Sequence, residues 1–182
     1  MIFKIAAVVT SLCTSSVLAQ RPSNTSVCDY YTTALLINNT AANQLTLLTL
    51  IVNTAMVGNY TQPNVGIAVP GILTPGTING TSVDLLAYFN GVAASTNTGG
   101  TAGQHVNFLD GGGAAPLREN MPANDQTSKQ YTLLTHLYSY FGALLGCSTI
   151  GGEFPSYTGS ASQYEVHKFM RLNNNQVSYF IQ

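Results

Sequence analysis

Charge is what this chain most lacks. Asp, Glu, Lys and Arg together make up 7% of its 182 residues, and the formal net charge is −1. No basic patch can be assembled from so few cations, so neither nucleic acid nor an anionic membrane has anything to grip. The seven carboxylates stand singly, with no pair at a spacing that suggests glycosidase chemistry. Nucleophile and metal templates are missing too. No Gly-x-Ser-x-Gly elbow and no His-Glu-x-x-His occurs, and His105, His136 and His167 share no local zinc motif. The glycines of "FLDGGGAAPL" are not followed by Lys-Ser or Lys-Thr, which removes a phosphate loop and leaves a flexible turn. No turnover is read from the sequence.

Cysteine is nearly as scarce, with Cys13, Cys28 and Cys147. Residues 1–19 combine Lys4, an apolar run and a Val17-Leu18-Ala19 ending, the pattern of a secretory signal peptide. Thr10, Ser11, Thr14, Ser15 and Ser16 break the run too often for a bilayer-spanning anchor. Cys13 would leave with that leader, and Cys28 and Cys147 can then form one bridge in an oxidising compartment. Two buried free thiols are the alternative. Asn24, Asn38, Asn59 and Asn79 each begin an Asn-x-Ser/Thr acceptor for N-glycans. A secreted, extracellular chain is expected, with one domain over residues 20–182 and no membrane contact once the leader is gone.

What is present is helical periodicity at the two ends. A short helix is expected from Asp29 to Ile37. A longer one, in which Leu45, Leu48, Val52, Ala55 and Met56 share a face, stops at Gly58. A strand is the alternative there, because Thr and Val lower helix propensity. Residues 59–124 are rich in Gly, Pro, Asn and Thr and read as an irregular insertion holding one short helix, Ser82 to Asn90. Thr127 with Gln130 forms a capping box for the best-specified helix, whose apolar face carries Leu133, Leu134, Leu137, Phe141, Leu144 and Leu145. Small residues Thr132, Thr135, Ser139, Gly142 and Gly146 form a second stripe that would admit another helix backbone. Ser162 with Glu165 caps a helix running to about Arg171, and Asn173 or Asn174 starts a last one. The fold class expected from this is all-α.

His167 falls on the helix after Ser162, beside a strongly apolar helix. Haem iron takes an axial imidazole, and the porphyrin lies in an apolar slot that excludes water. The ring nitrogen away from iron can donate to a carbonyl one turn back, near Gln163, and so fix the tautomer. A purely structural histidine is the other reading of the same position, and His136 is a weaker distal candidate.

The order "YFGALLGC", a turn, "YTG", then Glu-Val-His resembles the group I truncated haemoglobins. It does so through Tyr140, Phe141, Leu145, Gly146, Tyr157, Gly159, Val166 and His167. The match covers about fifty residues, Thr132 to Ile181, and the chain is also similar to secreted fungal proteins. The resemblance implies a truncated-globin-like domain in which the chain stops as the first of the family's last two helices begins. It implies haem as cofactor and iron bound by His167. Leu133, Leu137 and Phe141 would line the distal side, Phe89 or Phe108 would pack on the ring, and Val52 would look in from the first long helix. A small diatomic gas, or simple redox chemistry, would follow. The rival expectation is a secreted non-enzymatic binding, structural or effector-like protein acting at a cell wall or host surface, with a globin-like helical core and no haem.

Overall fold

The computed structural model describes residues 21–60, 69–99, 102–152 and 155–181. The expected leader lies outside them. Helix α1 is Val27–Leu36 and starts where the Ser26 hydroxyl accepts from the Asp29 N–H at 3.0 Å. Helix α2 is Ala41–Val57, capped by Thr40, whose hydroxyl accepts from Asn43 N–H at 3.2 Å. It ends at Gly58, with φ 84°, where an added Cβ would lie 2.5 Å from the Val69 carbonyl oxygen. Only glycine fits that turn.

Residues 76–107 overturn the all-α expectation. They form two antiparallel hairpins, β1 (Gly76–Ile78) with β2 (Thr81–Val83), and β3 (Asn90–Gly99) with β4 (Ala102–Asn107). The first turns on Asn79-Gly80, both at positive φ, the two-residue turn whose twist suits paired strands. The helix expected over Ser82–Asn90 is instead the end of β2, a single 3-10 turn at Leu86–Tyr88 and the start of β3. The second hairpin pairs Asn90 with Asn107 and Ala94 with His105, with register shifts between. The domain is therefore mixed, and the stretch read as an irregular insertion carries its sheets.

The glycine-rich turn is also more than a turn. It leads into helix α3, Ala114–Arg118, and Asp110 beside it accepts from the backbone N–H of Lys129 and Gln130, at 3.0 and 2.9 Å. Those are orphan donors at the start of α4, Lys129–Leu145. The cap itself is Ser128, which accepts from Tyr131 N–H at 3.0 Å, not Thr127. Thr127 is engaged by Asp125, and Gln130 turns inward. Helix α4 closes at Gly146 in the left-handed conformation, φ 71°. Ser162 caps a shorter helix than expected, α5, Gln163–His167, which passes into a 3-10 turn at Lys168–Met170. Asn173 and Gln176 cap each other's backbone at the start of α6, Asn174–Ile181.

The main core lies where α2 crosses α4, with α1 and α3 on its flanks. Leu47, Leu48, Val52, Met56, Leu117, Leu134 and Tyr138 are buried there. A smaller cluster of Ile78, Val83, Leu85 and Tyr179 seats α6 on the β1–β2 hairpin, and the Tyr179 hydroxyl donates to the Thr74 carbonyl at 2.6 Å. Cys28 and Cys147 are bridged, with Cα atoms 4.9 Å apart and a sequence separation of 119. This ties α1 to the residue after α4. Among the described residues, no single helix is long and apolar enough to cross a membrane.

Among the described residues three amides are fully buried, Gln44, Asn53 and Gln130. Gln44 donates to the Asp29 carboxylate and to the Asn39 carbonyl oxygen, each at 2.7 Å, and accepts from Thr149 N–H at 3.2 Å. Asn53 donates to the Leu117 carbonyl at 3.0 Å and accepts from the Tyr138 hydroxyl at 2.8 Å. Gln130 donates to the carbonyls of Gly113 and Pro122 and accepts from Gly113 N–H, all at 2.9 Å.

Replacing Gln44 by Leu keeps the volume but removes the Gln44 bonds to Asp29, Asn39 and Thr149. The urea unfolding midpoint at neutral pH should fall by the equivalent of about 2–3 kcal/mol. Tyr138 gives a second test, since burial, opposed by the Thr49 and Asn53 hydrogen bonds, pushes its phenol well above the ordinary tyrosine value. A pKa raised by folding contributes stability that is complete below about pH 10 and is lost as pH climbs toward the folded value. Tyr138→Phe should flatten the alkaline limb of a stability–pH curve and cost about 1 kcal/mol at neutral pH.

Candidate functional site

The residues expected to surround haem are dispersed. His167 closes α5, and its Nδ1 lies 2.8 Å from the Gln163 carbonyl, the bond one turn back, which leaves the Nε2 lone pair free. Its ring is half-buried, with the Phe180 ring on α6 6.4 Å away. Yet α5 and the following 3-10 turn pack on β3 and β4, with Phe169 over Gly103. Helix α4 is not among their main packing partners. Leu133, Leu137 and Phe141 lie against the main core, and Phe89 spans the two apolar clusters. Val52 is 2% exposed inside that core. Phe108 is half-buried and is tied through its N–H to the Phe89 carbonyl at 2.7 Å.

A ligand in the required tautomer is thus present without the slot. The apolar side chains Leu133, Leu137, Phe141 and Phe89 pack against other protein atoms, and His167 does not line the groove beside α1 or the trough beside α4. These residues do not fit a haem in this arrangement. Among the described residues, no group of three or more His, Cys, Asp or Glu is placed to hold a metal ion.

The small-residue stripe of α4 has a different neighbour from the helix expected there. Thr132, Thr135, His136 and Ser139 recur at three- and four-residue steps and line a shallow trough whose other wall is Pro155, Ser156 and Thr158. Tyr157 sets that wall. Its ring meets His136 at 5.0 Å and Tyr140 edge-on at 5.2 Å, and its hydroxyl donates to the Ser160 carbonyl at 2.7 Å. Partial burial, followed by the neighbouring Tyr140, raises the Tyr157 pKa, so the phenol stays neutral at physiological pH.

The hydrogen-bond inventory of the trough is specific. Thr132 donates to the Ser128 carbonyl at 3.2 Å, Thr135 to Tyr131 at 2.8 Å and Ser139 to Thr135 at 3.2 Å. Their protons are held by the helix, and their outward lone pairs accept. The exposed His136 ring makes no hydrogen bond among the described residues, and its two nitrogens offer one donor and one acceptor. The spacing of hydroxyls was visible in the sequence. The wall opposite was not, because nothing local places Tyr157 against His136.

Comparison with protein-family models, with curated proteins and with solved structures gives no match to this chain.

Adding haemin to the purified protein should give the same visible spectrum in the wild type and in His167→Ala. A band lost only in the variant would show a porphyrin slot that the described residues do not form.

Proposed function

We propose that the chain is a secreted, non-enzymatic binding protein that holds an uncharged oligosaccharide in the trough between α4 and residues 155–158. The observation that carries this is the set of three hydroxyls whose protons are tied to helix carbonyls beside an uncommitted imidazole. An anion needs several donors, and here the helix holds most of them. A cation is best held by a carboxylate, and none of the described residues that line the trough carries one. A hydrocarbon would leave the hydroxyls unpartnered. Sugar hydroxyls donate to the outward lone pairs and exchange both roles with His136, while the C–H face of a pyranose can lie on Pro155 and the Tyr157 ring.

Extracellular placement is supported by the leader pattern, the Cys28–Cys147 bridge and the acceptor sites. Asn24, Asn38 and Asn79 are exposed, and Asn79 sits at a hairpin tip. Asn59 is half-buried, its side-chain oxygen accepting from Val69 N–H at 2.5 Å. The second reading, haem held through His167 for gas binding, rests on the Gln163 hydrogen bond that frees Nε2. It ranks below because neither concavity found among the described residues faces that nitrogen.

Titrating neutral and anionic oligosaccharides by calorimetry, with insoluble wall glucans as a pull-down, tests the first reading. Neutral glycans should bind, and His136→Ala and Ser139→Val should each weaken them about tenfold, the equivalent of about 1.4 kcal/mol. Equal binding by both variants, or no neutral glycan bound at all, removes the trough as the site.

A further inference from the structure

A second concavity has the opposite chemistry. Helix α1 carries Val27, Tyr31 and Leu35 at four-residue steps on its outer face, 36%, 49% and 65% exposed. With Leu47 and Ile51 of α2 and Leu145 of α4 they enclose a half-open groove of about 200 Å³, and among the described residues no polar atom lines it. Cys28 forms part of its floor, so the disulfide fixes the groove's width at one end. Gln44 holds α1 to α2 through Asp29 below it. The groove is accordingly a fixed feature of the packing.

Its charge environment is as telling as its lining. Between Asp29 and Asp84 the sequence contains no charged residue. Nothing on either helix can pair with a charged head group, and Asp29 itself is engaged by Gln44 and by Ser148 N–H.

We propose that this groove binds the hydrocarbon tail of an uncharged amphiphile, one chain at a time. An apolar cavity of about 150 Å³ is enough to take a benzene-sized ligand, so this volume suits a short stretch of alkyl chain. A helix about 10 Å across is too wide to enter it. An extended peptide would bring N–H and C=O groups that the lining cannot partner. An alkyl chain needs no polar partner and gains by leaving water.

The test uses an octyl tetraoxyethylene ether below its micelle concentration, followed through the methyl NMR signals of Val27, Leu35 and Ile51, with octanoate as the charged counterpart. Saturable one-to-one shifts confined to these methyls are expected, with octanoate at least tenfold weaker. Leu35→Asn and Ile51→Asn, both at solvent-exposed positions, should each reduce affinity at least tenfold with an unchanged Tm. Ser139→Val, in the α4 trough, should leave the ether's affinity unchanged, which separates this site from the saccharide reading. Equal binding by the two Asn variants, equal binding of octanoate, or concentration-dependent dimerisation without ether binding would each overturn the proposal. The last outcome would name a second copy as the occupant.

Discussion

The structure depends on burying amides where other proteins place ions. Gln44, Asn53 and Gln130 are each fully enclosed, and each joins a helix to a segment remote in sequence or to a loop that has no other reason to stay. Burying an amide without partners costs more than most single packing contacts return, so a satisfied amide in an apolar core specifies one arrangement against its alternatives. An ion pair could do the same, but its desolvation is harder to offset. A chain with so few charges uses the neutral version throughout. In the long middle of the sequence such bonds hold residues 113–122, while Ile78, Val83 and Leu85 hold the first hairpin by apolar contact.

The disulfide and Gln44 act on the same joint. Cys28 and Asp29 are adjacent at the start of α1, and Cys147, Ser148 and Thr149 are adjacent after α4. In the chain-entropy account, closing a loop of this length stabilises by about 4 to 5 kcal/mol, but it leaves the helices free to swivel about the bridge. The Asp29–Gln44–Ser148 bonds remove that freedom. Covalent and polar constraints therefore do separate jobs: one limits the unfolded chain, the other orients α1 over α2. The apolar groove exists because both are present.

Helix starts were legible because their chemistry is local. Ser162 and Asn173 cap where their spacing says they should, Gly58 and Gly146 stop α2 and α4, and the Cys28–Cys147 pair needed only counting. Ser128 took the cap from its neighbour Thr127 because Asp125 engages Thr127 and Asp110 covers the next two donors, a tertiary arrangement with no local trace. The β1–β2 hairpin was legible in principle from Asn79-Gly80. It was obscured because "TSVDLLAYFNG" offers convincing helix signals, and pairing with β1 outweighed them. The β3–β4 hairpin gives no such hint. Its strands are mostly Ala, Ser, Thr, Asn and Gly, with Val92 and Val106 the larger apolar residues, their register shifts, and α5 and the following turn cover them. His167 shows the same division. Its helix and its bond to Gln163 follow from spacing, while the element packed beside it does not.

Neutrality sorts what the two concavities can hold. In a chain rich in charge, long-range attraction would bring ligands of one sign to any exposed cleft and blur differences in lining. Here that field is nearly absent, and recognition falls to short-range terms, the hydrogen bonds offered and the apolar area covered. On the two readings proposed above, a trough whose helix hydroxyls face outward as acceptors and a groove lined by no described polar atom would select opposite chemistries a few helical turns apart on one domain. The α4 helix serves both, presenting Thr132, Thr135 and Ser139 to one and Leu145 to the other. A change that rotates α4 about its axis would therefore disturb both sites together, whereas loosening α1 would open the groove and leave the trough intact. The independence of the two sites rests on Gln130 and Asn53 holding α4 in its rotation, which returns their placement to the buried amides.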